Sequence, residues 1–223
     1  MVVVLGWGSG KGWRSARIVP DGRKALRCHG AWHHARSHLP LFIMKSALIV
    51  IDVQQGLCEG EHAGVGWQEM VGRINGVAAR ARAAGMPVIF VQHESASDFL
   101  KFGSPRWQLA PGLAAQASDL RVRKTTPDSF HNTELAARLE QHGIEELVIC
   151  GMQSQFCVDT TTRRALALGY PVTLVEDGHT TVAGDDLSAA QIVRHHNQTL
   201  AGIVSFGPRV TLKPAAAVFA GGA

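Results

Sequence analysis

The residues "LVICGMQSQFCVDTTTRRALALGYPVTLVEDG", 147–178, decide the fold. An apolar run with β character (147–150) meets a glycine. A polar turn follows, and then a pattern of helical period runs to Gly169 before a second apolar run, 171–177. Two strands joined through a helix in so short a space form a βαβ unit, so the strands are parallel and the connection is right-handed. The turn is chemically unusual, because Gln153, Ser154, Gln155 and Cys157 crowd the strand-to-helix junction. A sheet holds such a turn rigidly, and a helix start supplies unpaired N–H groups and positive dipole potential. Cys157 is therefore a candidate nucleophile.

Outward from this unit the same alternation repeats. "ALIVIDV" (47–53) is apolar on both faces, as a buried parallel strand requires. Residues 67–84 read as a helix closed by Gly85, 87–92 as the second strand, 120–124 as the third, and 132–143 as a helix. A helix from Cys157 to Gly169, a strand at 171–177, a helix at 186–202 and a weak strand at 209–212 complete the series. Residues 95–118 carry no period and read as a loop or lid. The expected architecture is a three-layer α/β/α sandwich around a mainly parallel, doubly wound sheet of about six strands, spanning residues 44–223.

Residues 1–43 differ from the rest. Seven basic residues and one acidic residue fall there, whereas 44–223 hold 15 and 17, so the chain's +4 charge comes from the leader. No period survives in it, and we expect a poorly ordered basic leader that folding does not need, either an upstream-start artefact or a targeting tail. Its "VVVLGWGSGKG" fails as a phosphate loop, since GxGxxG from Gly6 needs glycine at Lys11. "CHGAWHHARSH" (28–38) reads as a histidine-rich tail rather than a metal site. The body has no basic stripe, which argues against nucleic acid, and no apolar run reaches the roughly 20 residues of a membrane helix. Four irregularly spaced cysteines do not form a disulfide framework, so a reducing, cytoplasmic setting is expected.

Ligands of open α/β sheets bind beyond the carboxyl ends of the strands. Asp52, Lys124 and Cys157 all fall at such ends. Together they can run acyl transfer: a thiolate attacks a carbonyl, Asp52 takes the thiol proton and returns it to the leaving group, and Lys124 orders the charges. The helix start and the ammonium are expected to pull the thiol pKa down from about 8.5 towards neutrality.

"IVIDVQ", "RKTTPDSFHNTEL" and the 147–178 stretch resemble the isochorismatase-like cysteine hydrolase superfamily, which includes nicotinamidases and N-carbamoylsarcosine amidases. The resemblance covers roughly 46–203. It implies an Asp52, Lys124, Cys157 triad, a cis peptide between Met152 and Gln153, and an oxyanion hole made of the Gln153 and Cys157 N–H groups. Nicotinamidases carry an Asp-x-His pair for a metal after the second strand; here "VQHES" offers only His93 and Glu94, so neither metal nor cofactor is expected. Cys157 favours a C–N bond of a small amide, ureide or lactam over the vinyl ether of isochorismatases proper. Gln54, Leu57, His93, Trp107 and Phe130 are expected to line the substrate pocket, and a homo-oligomer, dimer or tetramer, is expected.

Two other classes compete: a redox sensor built on Cys157, with Cys58 or Cys150 to resolve it, and a binding member without activity. His195 and His196 read as solvated surface, Cys58 as a spectator thiol, and Asp177 as a loop-organising carboxylate.

Overall fold

The computed structural model describes residues 45–220, so the readings made for the leader and its histidine-rich run lie outside the described residues. Six strands, β1 (Ser46–Ile51), β2 (Val88–His93), β3 (Leu120–Lys124), β4 (Glu146–Met152), β5 (Val172–Thr180) and β6 (Val210–Lys213), form one sheet in the order β3-β2-β1-β4-β5-β6. Every pairing is parallel. The helices are α1 (Gln55–Cys58), α2 (Trp67–Ala83), α3 (Leu135–Gln141), α4 (Asp159–Ala167) and α5 (Ala189–Ala201).

All six residues of β1 are buried, and its side chains alternate between two separate cores. Ala47, Ile49 and Ile51 join Leu135 and Leu139 of α3, Ala165 and Leu166 of α4 and Leu200 of α5. Leu48 and Val50 join Met70, Val71, Ile74, Val77, Ala78 and Ala81 of α2 on the opposite face. This two-sided burial explains why 47–51 is apolar throughout, and it makes the molecule a doubly wound α/β/α sandwich.

The chain winds outward from β1 through β2 to β3, then returns to β4 on the other side of β1. The order reverses between β1 and β4, and a crevice opens there beyond the strand ends. The two backbones approach so closely that a Cβ at Gly151, which has φ +118°, would collide with the Ile51 carbonyl.

Several element boundaries differ from the sequence reading. The helix expected over 132–143 starts only at Leu135, because Asn132 is left-handed (φ 53°) and the Thr133 hydroxyl accepts from the Leu135 N–H, 3.3 Å. The helix expected from Cys157 begins at Asp159; Ser154–Val158 form a π-helical turn ahead of it. The 186–202 helix is Ala189–Ala201, capped by a Ser188/Gln191 capping box. Among the described residues, no helix is long and apolar enough to cross a membrane.

Candidate active site

Four neighbouring strands end at the crevice, and each delivers one group. Across the rim stand Lys124 from β3, His93 from β2, Asp52 after β1, and the Gln153–Cys157 turn after β4. Lys124 and His93 are register partners, so the long lysine side chain passes over the end of β2 to reach Asp52.

The Lys124 ammonium forms an ion pair with Asp52 Oδ2 at 2.7 Å, donates to His93 Nδ1 at 3.2 Å and the Thr126 carbonyl at 3.1 Å, and also faces the Cys157 sulfur. Burial alone pulls its pKa down. The Asp52 carboxylate, and after it Cys157, outweigh that, and the net direction is upward. An ammonium can only donate, so His93 Nδ1 is an acceptor and the imidazole is neutral with its hydrogen on Nε2. Its pKa is lowered, first by burial and then by Lys124.

Asp52 adopts φ 52°, a left-handed conformation that costs a non-glycine residue free energy and concentrates at functional sites. It is held there by its N–H, which donates to the Val91 carbonyl at 2.8 Å, and by its carbonyl, which accepts from the Gln54 N–H at 2.9 Å. The Cys157 Sγ, an Asp52 carboxylate oxygen and a His93 ring nitrogen lie within 4.8 Å of one another. The Met152–Gln153 peptide is cis. In the turn that follows, the Phe156 and Val158 N–H groups both donate to the Gln153 carbonyl, at 3.1 and 3.3 Å.

The expected activation of the resting thiol is corrected here. Cys157 is pushed up from 9.0 to about 12, chiefly by burial and next by the Asp52 carboxylate, while Lys124 pulls the other way. The half-buried cysteine sits inside the π-helical turn with a carboxylate beside it, not at the start of an α-helix. The resting group is a thiol, and the Asp52 carboxylate lies beside it.

Three donors so close together invite a metal ion, but they do not fit one. The Lys124 ammonium already binds Asp52 and His93 Nδ1, so a cation would face a fixed positive charge across two of its ligands. Glu94 turns to Arg123, 3.4 Å away.

A cavity of about 250 Å³ opens above these groups, lined by Leu57, His93, Ser95, Ser97, Phe99, Leu100, Gln153 and Phe156 with Asp52 and Cys157 at its floor. Of the five residues expected to line it, Leu57 and His93 do so. Gln54 is fully buried as a staple between strand ends: its amide donates to the His93 and Trp107 carbonyls and accepts from the His93 N–H. Trp107 packs edge-on against Phe102, with its carbonyl taken by Gln54 and Gln92. Phe130 belongs to the core, stacked on Tyr170. Sequence reasoning missed Phe99 and Leu100, which lie on a short 3₁₀ turn (Asp98–Leu100) inside the aperiodic 95–118 stretch. No periodic signal marks such a turn.

Three further readings meet the structure. His196 is not solvated surface, since its Nδ1 lies 3.0 Å from Asp159 Oδ1 and its side chain is 17% exposed. Cys58 is fully buried against Met152, with its thiol pushed up to about 12 by burial and by Glu59. Asp177 accepts from the Ala215 N–H at 2.6 Å and ties the segment after β6 to β5.

Residues 46–204 match the isochorismatase domain family. Streptothricin hydrolase of Streptomyces noursei is 35% identical over 75% of this chain, and the chain spans 64% of that protein's length. Ureidoacrylate amidohydrolase of Caulobacter vibrioides is 30% identical over 66% of this chain and 82% of its own. A crystal structure of an isochorismatase family protein superposes with a TM-score of 0.70 at 36% identity, over 76% of this chain and 98% of that one. The parallel sheet, the strand-end cluster and these matches agree that the chain belongs to the isochorismatase-like cysteine hydrolase superfamily.

Proposed function

We propose that the protein hydrolyses a carbon–nitrogen bond of a small, uncharged amide, ureide or lactam through a thioester on Cys157. The observation that carries this reading is the half-buried Cys157 thiol beside a carboxylate that pairs with Lys124 at 2.7 Å. As Sγ bonds to the carbonyl carbon, its proton passes to Asp52 and the carbonyl π pair moves onto oxygen. The N–H groups of Gln153 and Cys157 receive that oxyanion, the Phe156 and Val158 N–H groups of the turn being taken by the Gln153 carbonyl. Collapse breaks the C–N bond, and Asp52 returns the proton to the departing nitrogen. Water then adds to the thioester with Asp52 again as base, the C–S bond breaks, and the thiol is restored.

The amidohydrolase and streptothricin hydrolase relatives support C–N cleavage. The cavity supports an uncharged substrate. Leu57, Phe99, Leu100 and Phe156 give it apolar walls, its other lining residues bring no Lys or Arg, and the Lys124 ammonium is engaged by Asp52 outside the lining. Arg106 stacks over the Phe99 ring, 5.5 Å from its centroid, and is not among the lining residues. A redox-sensing role is poorly supported, because burial shuts Cys58 and Cys150 away and pushes both thiols up.

The test is a panel of neutral amides, ureides and lactams, each paired with a carboxylate-bearing analogue and assayed for ammonia or amine release. Turnover of neutral members is expected. Release from none of them, or from charged members alone, contradicts the reading.

A further inference from the structure

β5 does not run evenly beside β4. Ile149 pairs with Leu174, yet Gly151 pairs with His179, so a single residue of β4 faces the four residues 175–178 of β5. The excess folds into a bulge so tight that a Cβ at Gly178 would stand 2.6 Å from Val175 Cγ1. Bulges beside functional sites re-aim a side chain. This one carries His179 in beside the end of β4, immediately below the turn that presents Cys157.

The hydrogen bonds around His179 have a fixed polarity. Asn197 Nδ2 donates to the Glu176 carbonyl at 2.9 Å, which leaves Asn197 Oδ1 facing His179 Nε2 at 2.9 Å. An amide oxygen only accepts, so Nε2 carries the hydrogen. His179 is 4% exposed, and burial lowers its pKa, so the ring is neutral and Nδ1 is a lone-pair acceptor. The Ser154 hydroxyl, 2.8 Å away and fully buried, donates to it. Ser154 is the first residue of the π-helical turn Ser154–Val158. The chain Glu176, Asn197, His179, Ser154 thus ties α5 and the β5 bulge to the segment holding Cys157 and the Gln153 N–H.

We infer that His179 is a positioning residue: its bond to Ser154 fixes the π-helical turn so that Cys157 Sγ and the N–H groups of the turn stand in register with an incoming carbonyl. The inference rests on Cys157 being the nucleophile. An acylation site misplaced by about 1 Å loses on the order of a hundredfold in rate, so removal of the bond should be visible in acylation of folded enzyme.

The experiment uses p-nitrophenyl acetate as probe, following the burst of p-nitrophenolate and the acetyl mass gain on the Cys157 peptide, with the melting temperature of each variant measured alongside. Ser154→Ala and His179→Leu are expected to slow acylation by similar factors, tenfold or more. The double variant should be little slower than either single one, since both remove one interaction. Among conservative replacements, His179→Asn places an amide oxygen near the position of Nδ1 and should recover rate. His179→Gln replaces only the Nε2 donor and should not. Unchanged acylation in folded Ser154→Ala, additive losses in the double variant, or rescue by Gln rather than Asn would each overturn the inference. Failure of the wild type to acetylate Cys157 would instead count against the nucleophile itself.

Discussion

Lys124 Nζ lies 2.7 Å from Asp52 Oδ2, with the two side chains 0% and 1% exposed. Both charges are buried, so each depends on the other. The pair therefore acts twice, in holding the rim of the sheet together and in placing a carboxylate beside a thiol.

Removing one member leaves a buried, uncompensated charge. Lys124→Met is expected to lower the unfolding free energy by about 3–5 kcal/mol, and Asp52→Asn added to it should restore much of the loss. Urea unfolding of the two variants and the wild type measures this. A loss below about 1 kcal/mol would mean that the pair is solvated and unimportant.

The resting thiol should be unreactive. With its pKa raised from 9.0 to about 12, Cys157 holds its proton at neutral pH. Its alkylation by iodoacetamide near neutral pH is expected to run well below that of an ordinary cysteine and to climb as pH rises. The signs of the neighbours give a second check. Asp52→Asn removes an influence that raises the pKa and should speed alkylation, whereas Lys124→Met removes one that lowers it and should slow alkylation. Rapid alkylation of the wild type near pH 7 would contradict the environment described.

How much of this is legible in the sequence depends on the range of the forces involved. β1 and β4 announce themselves because both faces of a central parallel strand are buried, and the strand end at Asp52 follows from where the apolar run of β1 stops. The height of the Cys157 pKa is not legible, since burial depends on what packs over the turn. The β5 bulge is equally hidden: "PVTLVEDG" looks like a strand that ends at 177, and only pairing with β4 carries it on to Thr180. Gln54 and Phe130 look like pocket residues from their position after a strand or in a motif. One is consumed by backbone groups and the other by the core.

The cavity walls should control binding more than chemistry. On the best substrate of the amide panel, Phe99→Ala is expected to raise KM several-fold with a smaller change in kcat, because it removes apolar contact made equally in ground and transition states. Steady-state kinetics decides this. An equal fall in kcat and kcat/KM would place Phe99 in the transition state instead.

Chelation should not matter. The Lys124 ammonium takes the place a cation would need between Asp52 and His93, so dialysis against EDTA is expected to leave turnover unchanged. Loss of activity that zinc or iron restores would show that a metal competes with Lys124 for these ligands.

The nucleophile is tested most directly by acid quench after brief incubation with a turned-over amide, followed by mass analysis of the peptide containing Cys157, in the wild type and in Cys157→Ala. The wild type is expected to carry the acyl group on that peptide. Cys157→Ala should keep its fold, bind substrate, form no adduct and lose turnover by several orders of magnitude. Turnover by Cys157→Ala at the wild-type rate would contradict the thioester mechanism outright.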